Sequence, residues 1–360
     1  MIQNLHQPRC ILVTGGAGFI GANFLHHIVP KFPEVEIINL DKLTYAGNLL
    51  SLSEIESASN YQFIHGDICD LNLLHVLFDD HQITTVVHFA AESHVDRSIH
   101  TPLEFVQTNV VGTACLLEAA KTAWNLNASD PAMYRFLHVS TDEVFGALGR
   151  TGKFSIDTPY APRSPYSASK ASADHFVRAY AETYELPVII SNCSNNYGPF
   201  QFPEKLIPLA IVRSLCNDSI PVYSKGENIR DWLHVHDHCK ALETIIHQGI
   251  NGETYLVGGS AEYSNLDLLN ILLTIVDEEL QRPVGTSQKL ITFVQDRPGH
   301  DFRYAIDASK LITELGWSPQ YTLSEGLRAT VRWYLSNHSW LEAVIDESYR
   351  SYLKAQYEIS

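Results

Sequence analysis

Thr14-Gly15-Gly16-Ala17-Gly18-Phe19-Ile20-Gly21 is the stretch that decides the fold of this 360-residue chain. An apolar run, Cys10 to Thr14, precedes its turn, and a segment of helical spacing, Phe19 to Val29, follows it. Strand, glycine turn and helix in that order are the context in which such glycines bind a dinucleotide rather than merely turn the chain. Gly15 permits the tight turn, Gly18 lets backbone approach a pyrophosphate, and Gly21 lets helix and strand pack closely. The helix N-terminus then faces the phosphates. The next apolar run, Val35 to Leu40, ends at Asp41, 20 residues beyond Gly21. A carboxylate there accepts from a ribose 2′-hydroxyl and repels a 2′-phosphate, so the expected cofactor is NAD rather than NADP. Gly66-Asp67-Ile68, after the third apolar run, is available to the adenine.

Further apolar runs follow at Tyr61 to Ile64, Thr85 to Phe89, Phe136 to Val139 and Val188 to Cys193. Helix-length segments such as Leu71 to Asp79 and Glu104 to Trp124 separate them. Continuous apolar strands alternating with helices indicate a parallel sheet buried on both faces, a doubly wound α/β Rossmann architecture. Beyond about residue 195 the pattern breaks, with prolines at 199, 203, 208, 221 and 298. Residues 1–195 are therefore expected to form the NAD-binding domain. Residues 196–360 are expected to form a smaller mixed domain, mainly for substrate, with loops over the strands' carboxyl ends and with the chain crossing back later.

The formal net charge is −16, which disfavours nucleic acid and anionic membrane as partners. No apolar run reaches the roughly 18 residues of a membrane span, and the polar start, Met1 to Arg9, lacks a signal-peptide core. A cytoplasmic location is the resulting expectation. The cysteines, at 10, 69, 115, 193, 216 and 239, show no CxxC pair and read as reduced core thiols rather than zinc ligands or disulfides. His234, His236 and His238 alternate beside Asp237, as if along one strand face, and read as core or surface rather than metal ligands.

Tyr166-Ser167-Ala168-Ser169-Lys170 opens a helix-length segment after Pro165, and a spacing of four puts Tyr166 and Lys170 on one face. An ammonium beside a phenol lowers the phenol's pKa, so the phenolate can take a proton from a hydroxyl whose carbon loses hydride. An exposed helical pair is the alternative for this spacing taken alone. Ser140-Thr141-Asp142-Glu143 follows the run ending at Val139 and so lies at a strand's carboxyl end, where such sheets bind ligands. Asp142 and Glu143 can divide as acid and base if one holds a proton and the other does not. A helix N-cap with first-turn acids is the competing reading.

In these motifs, and in His88 to Ser98, Asn195 to Pro199, Phe202 to Pro208, Arg230 to Leu233 and Asp296 to Asp301, the chain resembles the extended short-chain dehydrogenase/reductase family. Within it the chain is similar to the NAD-dependent sugar-nucleotide 4,6-dehydratases. The resemblance runs over nearly the whole chain. The glycine turn and Tyr166/Lys170 mark the superfamily; Thr141-Asp142-Glu143 and the last three segments mark the dehydratases. It implies a small-molecule substrate, dTDP-glucose, and a redox-neutral cycle. Tyr166 takes the C4 hydroxyl proton as C4 loses hydride to NAD, Glu143 removes the C5 proton, Asp142 protonates the leaving C6 hydroxyl, and hydride returns to C6. Thr141 donates to the sugar hydroxyl. Four readings compete with this one. A 4-epimerase has no need of the two acids, and for a decarboxylase Asp142 would repel the carboxylate. A dehydratase acting on a UDP- or GDP-sugar differs only in the base. A silent NAD-binding regulator has no use for Tyr166, Lys170, Asp142 and Glu143 together.

The same resemblance implies cofactor contacts from Gly15, Gly18, Phe19, Ile20, Gly21, Asp41, Lys42, Leu43, Thr44, Asp67, Ile68, Phe89, Ala90, Ala91, Glu92, Ser93, Thr108, Tyr166, Lys170 and Asn196. It implies substrate contacts from Ser93, Thr141, Asn195, Lys205, Leu206, Pro221, Val222, Tyr223, Arg230, Asn265, Asp296, Arg297, Pro298, Gly299 and His300. Arg230 and Arg297 suit a diphosphate, which guanidinium grips in bidentate fashion. Two departures touch specificity: Phe145 replaces the usual tyrosine, and His234 and His236 replace the usual Tyr and Glu of their run. By the same resemblance, segments 104–121 and 168–184 are expected to pair across a homodimer as a four-helix bundle.

Overall fold

The computed structural model describes residues 5–126, 130–345 and 349. The strands are β1 (Cys10–Thr14), β2 (Glu36–Asp41), β3 (Tyr61–His65), β4 (Thr85–His88), β5 (Arg135–Thr141), β6 (Val188–Cys193), β7 (Asn195–Tyr197), β8 (Ile220–Tyr223), β9 (Ile229–His234), β10 (Thr254–Val257), β11 (Glu262–Ser264) and β12 (Ile291–Val294). The α-helices are α1 (Phe19–Ile28), α2 (Leu71–His81), α3 (Val95–His100), α4 (Pro102–Phe105), α5 (Thr113–Trp124), α6 (Pro165–Tyr184), α7 (Leu206–Cys216), α8 (Val235–Gln248), α9 (Asn265–Glu279), α10 (Ser309–Leu315), α11 (Leu323–Ser336) and α12 (His338–Val344).

A seven-stranded sheet runs β10-β6-β5-β4-β1-β2-β3, and every pairing in it is parallel. Its central strands are apolar throughout because both faces are covered: β1, β4, β5 and β6 are buried at every position. One face packs on α1 and α8 around Phe24, Leu25, Leu242 and Ile245. The other packs on α2, α5 and α6 around Leu77, Leu116 and Val177. The strand order reverses between β1 and β4, and such a switch point opens a crevice at the strands' carboxyl ends.

The chain leaves this sheet at β7, which begins two residues after β6 ends, and returns once at β10, where Val257 lies opposite Cys193. Between and beyond lie the smaller sheets β11-β9-β7 and β12-β8. They share a second core with α7, α9, α11 and α12, built on Leu268, Leu272, Leu327 and Trp340.

Three expectations from sequence are corrected. The segment over Glu104–Trp124 is not one regular helix: Val106–Gly112 is a π-helical stretch between α4 and α5. The alternating histidines do not share a strand. His234 ends β9 and caps α8, accepting from the His236 amide at 3.3 Å, while His236 and His238 sit in the helix. Of the cysteines, all free, Cys10, Cys193 and Cys239 are core thiols, but Cys69 and Cys115 are half-buried and Cys216 is exposed.

Candidate active site

The glycine turn is a steric necessity. Gly15 has φ +76°, and a Cβ there would meet the Ala90 amide at 2.6 Å. A Cβ on Gly21 would meet the Gly15 carbonyl at 2.3 Å. Gly18 caps α1 without a side-chain hydrogen bond, leaving the first-turn amides to the crevice. Asp41, at the end of β2, is buried; its Oδ2 accepts from the Ala17 amide and its Oδ1 from the Leu43 amide, both at 2.8 Å. Burial pushes its carboxyl up, and those two amides oppose the shift. Lys42 pairs with Asp67 at 2.7 Å across the ends of β2 and β3.

A cavity of about 310 Å³ runs along these strand ends. Every residue expected at the cofactor lines it except Leu43. Leu43 holds a left-handed backbone, φ 55°, and packs on the first core instead. The π-helical stretch carries Thr108 to the wall. Its neighbour Asn109 exchanges hydrogen bonds with the Glu92 backbone at 2.8 and 3.0 Å and donates to Ser169 Oγ at 2.8 Å, fixing the 89–93 loop against α6.

Thr141, Asp142, Glu143, Tyr166 and Lys170 line the same cavity. α6 is started by Pro165 and by a reciprocal cap between Ser164 and Ser167, which aims Tyr166 and Lys170 at the end of β5. Lys170 Nζ donates to the Val139 carbonyl at 2.9 Å. The expected lowering of the Tyr166 pKa by Lys170 is not what the surroundings produce. Burial, then the Glu143 charge, push the phenol well above its ordinary value, and a hydrogen bond with Thr141 opposes them.

Asp142–Phe145 is a short 3₁₀ turn capped by Thr141, whose Oγ1 accepts from the Glu143 amide at 3.2 Å. The capping reading of these residues is therefore physically realised, and the acids still face the cleft. Burial, then Glu143, hold the Asp142 carboxyl well above the carboxylate range. Burial raises Glu143 too, but Arg297, Arg230 and Lys205 all pull it down. Two adjacent carboxyls are thus split into a proton holder, Asp142, and the more readily ionised Glu143.

Of the residues expected at the substrate, Ser93, Thr141, Asn195 and Lys205 line the cavity; Leu206, Pro221–Tyr223, Arg230, Asn265 and Asp296–His300 do not. Val222 faces inward along β8 and belongs to the second core, while Pro221 and Tyr223 are half-buried. Leu206 begins α7, and Asn265 begins α9 with its amide on the Asn228 carbonyl at 2.9 Å. Arg230 is buried against the Tyr304 ring at 4.3 Å and donates to the Ile229 and Asp301 carbonyls. Arg297 pairs with Asp96 at 2.7 Å, and His300 with Asp296 at 2.6 Å. Pro298 and Gly299 are exposed between them.

Sequence reasoning missed Cys193, Gln201 and Glu204, which also line the cavity. Glu204 accepts from Tyr45 Oη at 3.1 Å and Arg97 Nε at 3.3 Å, and the Arg97 guanidinium lies 3.6 Å from the Tyr45 ring centre. Only the position of Glu204 within the Phe202–Pro208 run signalled it. The departures have structural places: Phe145 stacks on Phe154 at 5.3 Å with Tyr160 against its edge, and His234 stacks on Tyr321 at 4.0 Å.

Residues 12–330 match the family model described as GDP-mannose 4,6 dehydratase. A dTDP-glucose 4,6-dehydratase of Xanthomonas campestris pv. campestris (strain B100) is 54% identical over 341 residues, 94% of this chain and 97% of the relative. A dTDP-glucose 4,6-dehydratase of Bacillus anthracis, solved in complex with NAD, superposes with a TM-score of 0.83 at 44% identity, covering 93% of this chain and 99% of that one. One from Streptomyces venezuelae, solved with NAD and TYD bound, gives 0.85 at 42% identity with the same coverage.

Proposed function

The chain belongs to the GDP-mannose 4,6-dehydratase family, and within it we infer that it converts dTDP-glucose to dTDP-4-keto-6-deoxyglucose with NAD as a bound cofactor. The observation that carries this reading is one cavity holding both Tyr166/Lys170 and the unequal acids Asp142 and Glu143. An epimerase eliminates nothing and gives the two cleft carboxyls no work. The identity of the relatives supports the dTDP-linked glucose over a UDP- or GDP-sugar.

NAD fits the residues present: the space a Cβ would fill at Gly15 and Gly21 is occupied by backbone, so the turn lies close against the helix start, and Asp41 stands beside it. Gly15 to Gly21 would hold the pyrophosphate, Asp41 the adenosine ribose, and Lys170 the ribose nearest the chemistry. When bound, NAD supplies the two-electron acceptor at sugar C4 and the donor at C6. Beside the Lys170 ammonium and the positively charged nicotinamide that NAD would bring, the Tyr166 phenol that burial holds up would ionise and take the C4 hydroxyl proton, while Thr141 orients that hydroxyl. Glu143, kept ionisable by Arg230, Arg297 and Lys205, takes the C5 proton made acidic by the adjacent ketone. Asp142, which burial keeps protonated, gives its proton to the C6 hydroxyl as it leaves as water. Glu143 then returns a proton to C5. Arg230 and Arg297 would hold the diphosphate, and Lys205, Asn195 and Ser93 the sugar and base.

Residues 1–195 serve the cofactor and residues 196–360 mainly the sugar nucleotide. The protein acts in the cytoplasm as a homodimer; exposed Val106, Val111 and Phe176, on the π-helical stretch and α6, support that pairing. No helix among the described residues is long and apolar enough to cross a membrane. The direct test is incubation of the purified protein with dTDP-glucose, UDP-glucose and GDP-mannose separately, scoring the alkali-labile absorbance of a 4-keto product. Signal with dTDP-glucose alone is expected; turnover of another sugar nucleotide in its place overturns the assignment.

A further inference from the structure

Asp174 lies four residues beyond Lys170 and eight beyond Tyr166 on α6, so the three side chains share one helix face. It is fully buried, at 0% exposure. An anion in such a place persists only if donors and a counter-charge surround it. Its Oδ2 accepts from Tyr160 Oη at 2.7 Å, Ser140 Oγ at 3.0 Å and Asn192 Nδ2 at 3.2 Å. Asn192 Nδ2 also donates to the Thr141 carbonyl at 3.0 Å. Ser140 directly precedes the Thr141-Asp142-Glu143 turn. One carboxylate therefore ties the ends of β5 and β6 to α6 behind the cleft floor.

We propose that Asp174 is a positioning residue for the proton chemistry: a fixed anion that keeps Lys170 protonated and holds the Thr141-Asp142-Glu143 turn against Tyr166. This rests on the reading in which Tyr166 and Lys170 handle the C4 proton. The groups facing the pair from other elements do not supply that counter-charge. From β5, His138 Nε2 lies 3.1 Å from Asp174 Oδ1, but burial pushes this imidazole down to about 4, so it is neutral. From β4, the His88 ring lies 5.2 Å from that of His138, tilted to it, and is also held neutral by burial, with its nitrogens on Thr14 and Thr113. From β6, burial pushes the Cys193 thiol up to about 12. Arg178, one turn along α6, is engaged with Tyr160 Oη at 3.1 Å. Burial pulls the Lys170 ammonium below its ordinary value, and Asp174 opposes that pull.

Asp174→Asn removes the charge and keeps the size. In the full-length protein with NAD and dTDP-glucose, kcat at neutral pH is expected to fall about tenfold and the alkaline limb of kcat to move down by about one pH unit, because an unsupported Lys170 loses its proton earlier. KM and the NAD dissociation constant from titration stay within about twofold, which a merely structural lesion would not leave in place. An unmoved limb with wild-type kcat overturns the proposal. Should that variant not fold, Tyr160→Phe removes the shortest hydrogen bond to Asp174 and keeps its charge. The less-screened anion then moves the limb upward, and an unmoved limb is again contrary. Tyr166→Phe separates the two claims: full turnover there overturns the underlying reading, whereas its inactivity beside wild-type behaviour in Asp174→Asn overturns this proposal alone.

Discussion

Glu143→Gln separates the oxidation at C4 from the loss of water. The substitution preserves shape and the amide that Thr141 caps, since that hydrogen bond uses the Glu143 backbone. What disappears is the proton acceptor for C5. Asp142 beside it does not substitute, because burial, the largest cause of its raised pKa, is untouched by the substitution. A positioned general base contributes about 10²–10⁴ in rate, which is ~3–5 kcal/mol of barrier. The Asp142 and Tyr166 side chains beside it are buried, so the loss belongs at the upper end of that range. The C4 step keeps its parts, since Tyr166, Lys170 and Thr141 are untouched. Mixing the variant with dTDP-glucose and following the absorbance of reduced cofactor is therefore expected to give a burst of enzyme-bound NADH that persists. A variant that shows no NADH, with NAD and substrate both bound, places Glu143 in the oxidation and refutes the division of labour.

The remaining expectations concern acidity, sterics and assembly. Because the Asp142 carboxyl is held above its unfolded value near ~4, its contribution to stability is full only below that value and fades as pH rises toward the folded pKa. Asp142→Asn should accordingly raise Tm at neutral pH by about 2 °C while abolishing turnover, and an unchanged Tm by calorimetry speaks against the strained acid. Gly15→Ala should cost NAD binding and stability together, since its Cβ meets the Ala90 amide, whereas Gly149→Ala, with nothing within 4 Å, should stay within about 0.5 kcal/mol of the parent in a denaturant titration. Phe176→Asp, at an exposed position of α6, should shift the mass seen by light scattering from dimer to monomer; a dimer that survives points to another interface.

The parallel sheet was legible because strands buried on both faces leave continuous apolar runs, and the runs ending at Asp41 and Cys193 coincide with the ends of β2 and β6. The cofactor turn was legible because Gly15 and Gly21 are forced by contacts within one strand-turn-helix unit. What stayed hidden depends on partners distant in sequence. The π-helical stretch at Val106–Gly112 looks like ordinary helix until Asn109 is seen bound to Glu92 and Ser169. Glu204 reads as a surface acid until Tyr45 and Arg97 close on it. Asp174 continues the Tyr166/Lys170 spacing by one more turn, a signal present in the sequence, but its weight comes from Ser140 and Asn192 on two other strands. The Tyr166 phenol shows the limit of motif chemistry: helical spacing announces its lysine, whereas its pKa is set by burial and by Glu143, 23 residues earlier in the chain.

The central claim is that one hydride leaves C4 and comes back to C6 of the same sugar while Glu143 exchanges the C5 proton. dTDP-glucose carrying deuterium at C4, turned over in ordinary water, tests it directly by NMR of the product. The deuterium is expected in the C6 methyl group, with hydrogen from solvent at C5. Deuterium lost to water, or retained at C4 of an unreduced hexose, contradicts it.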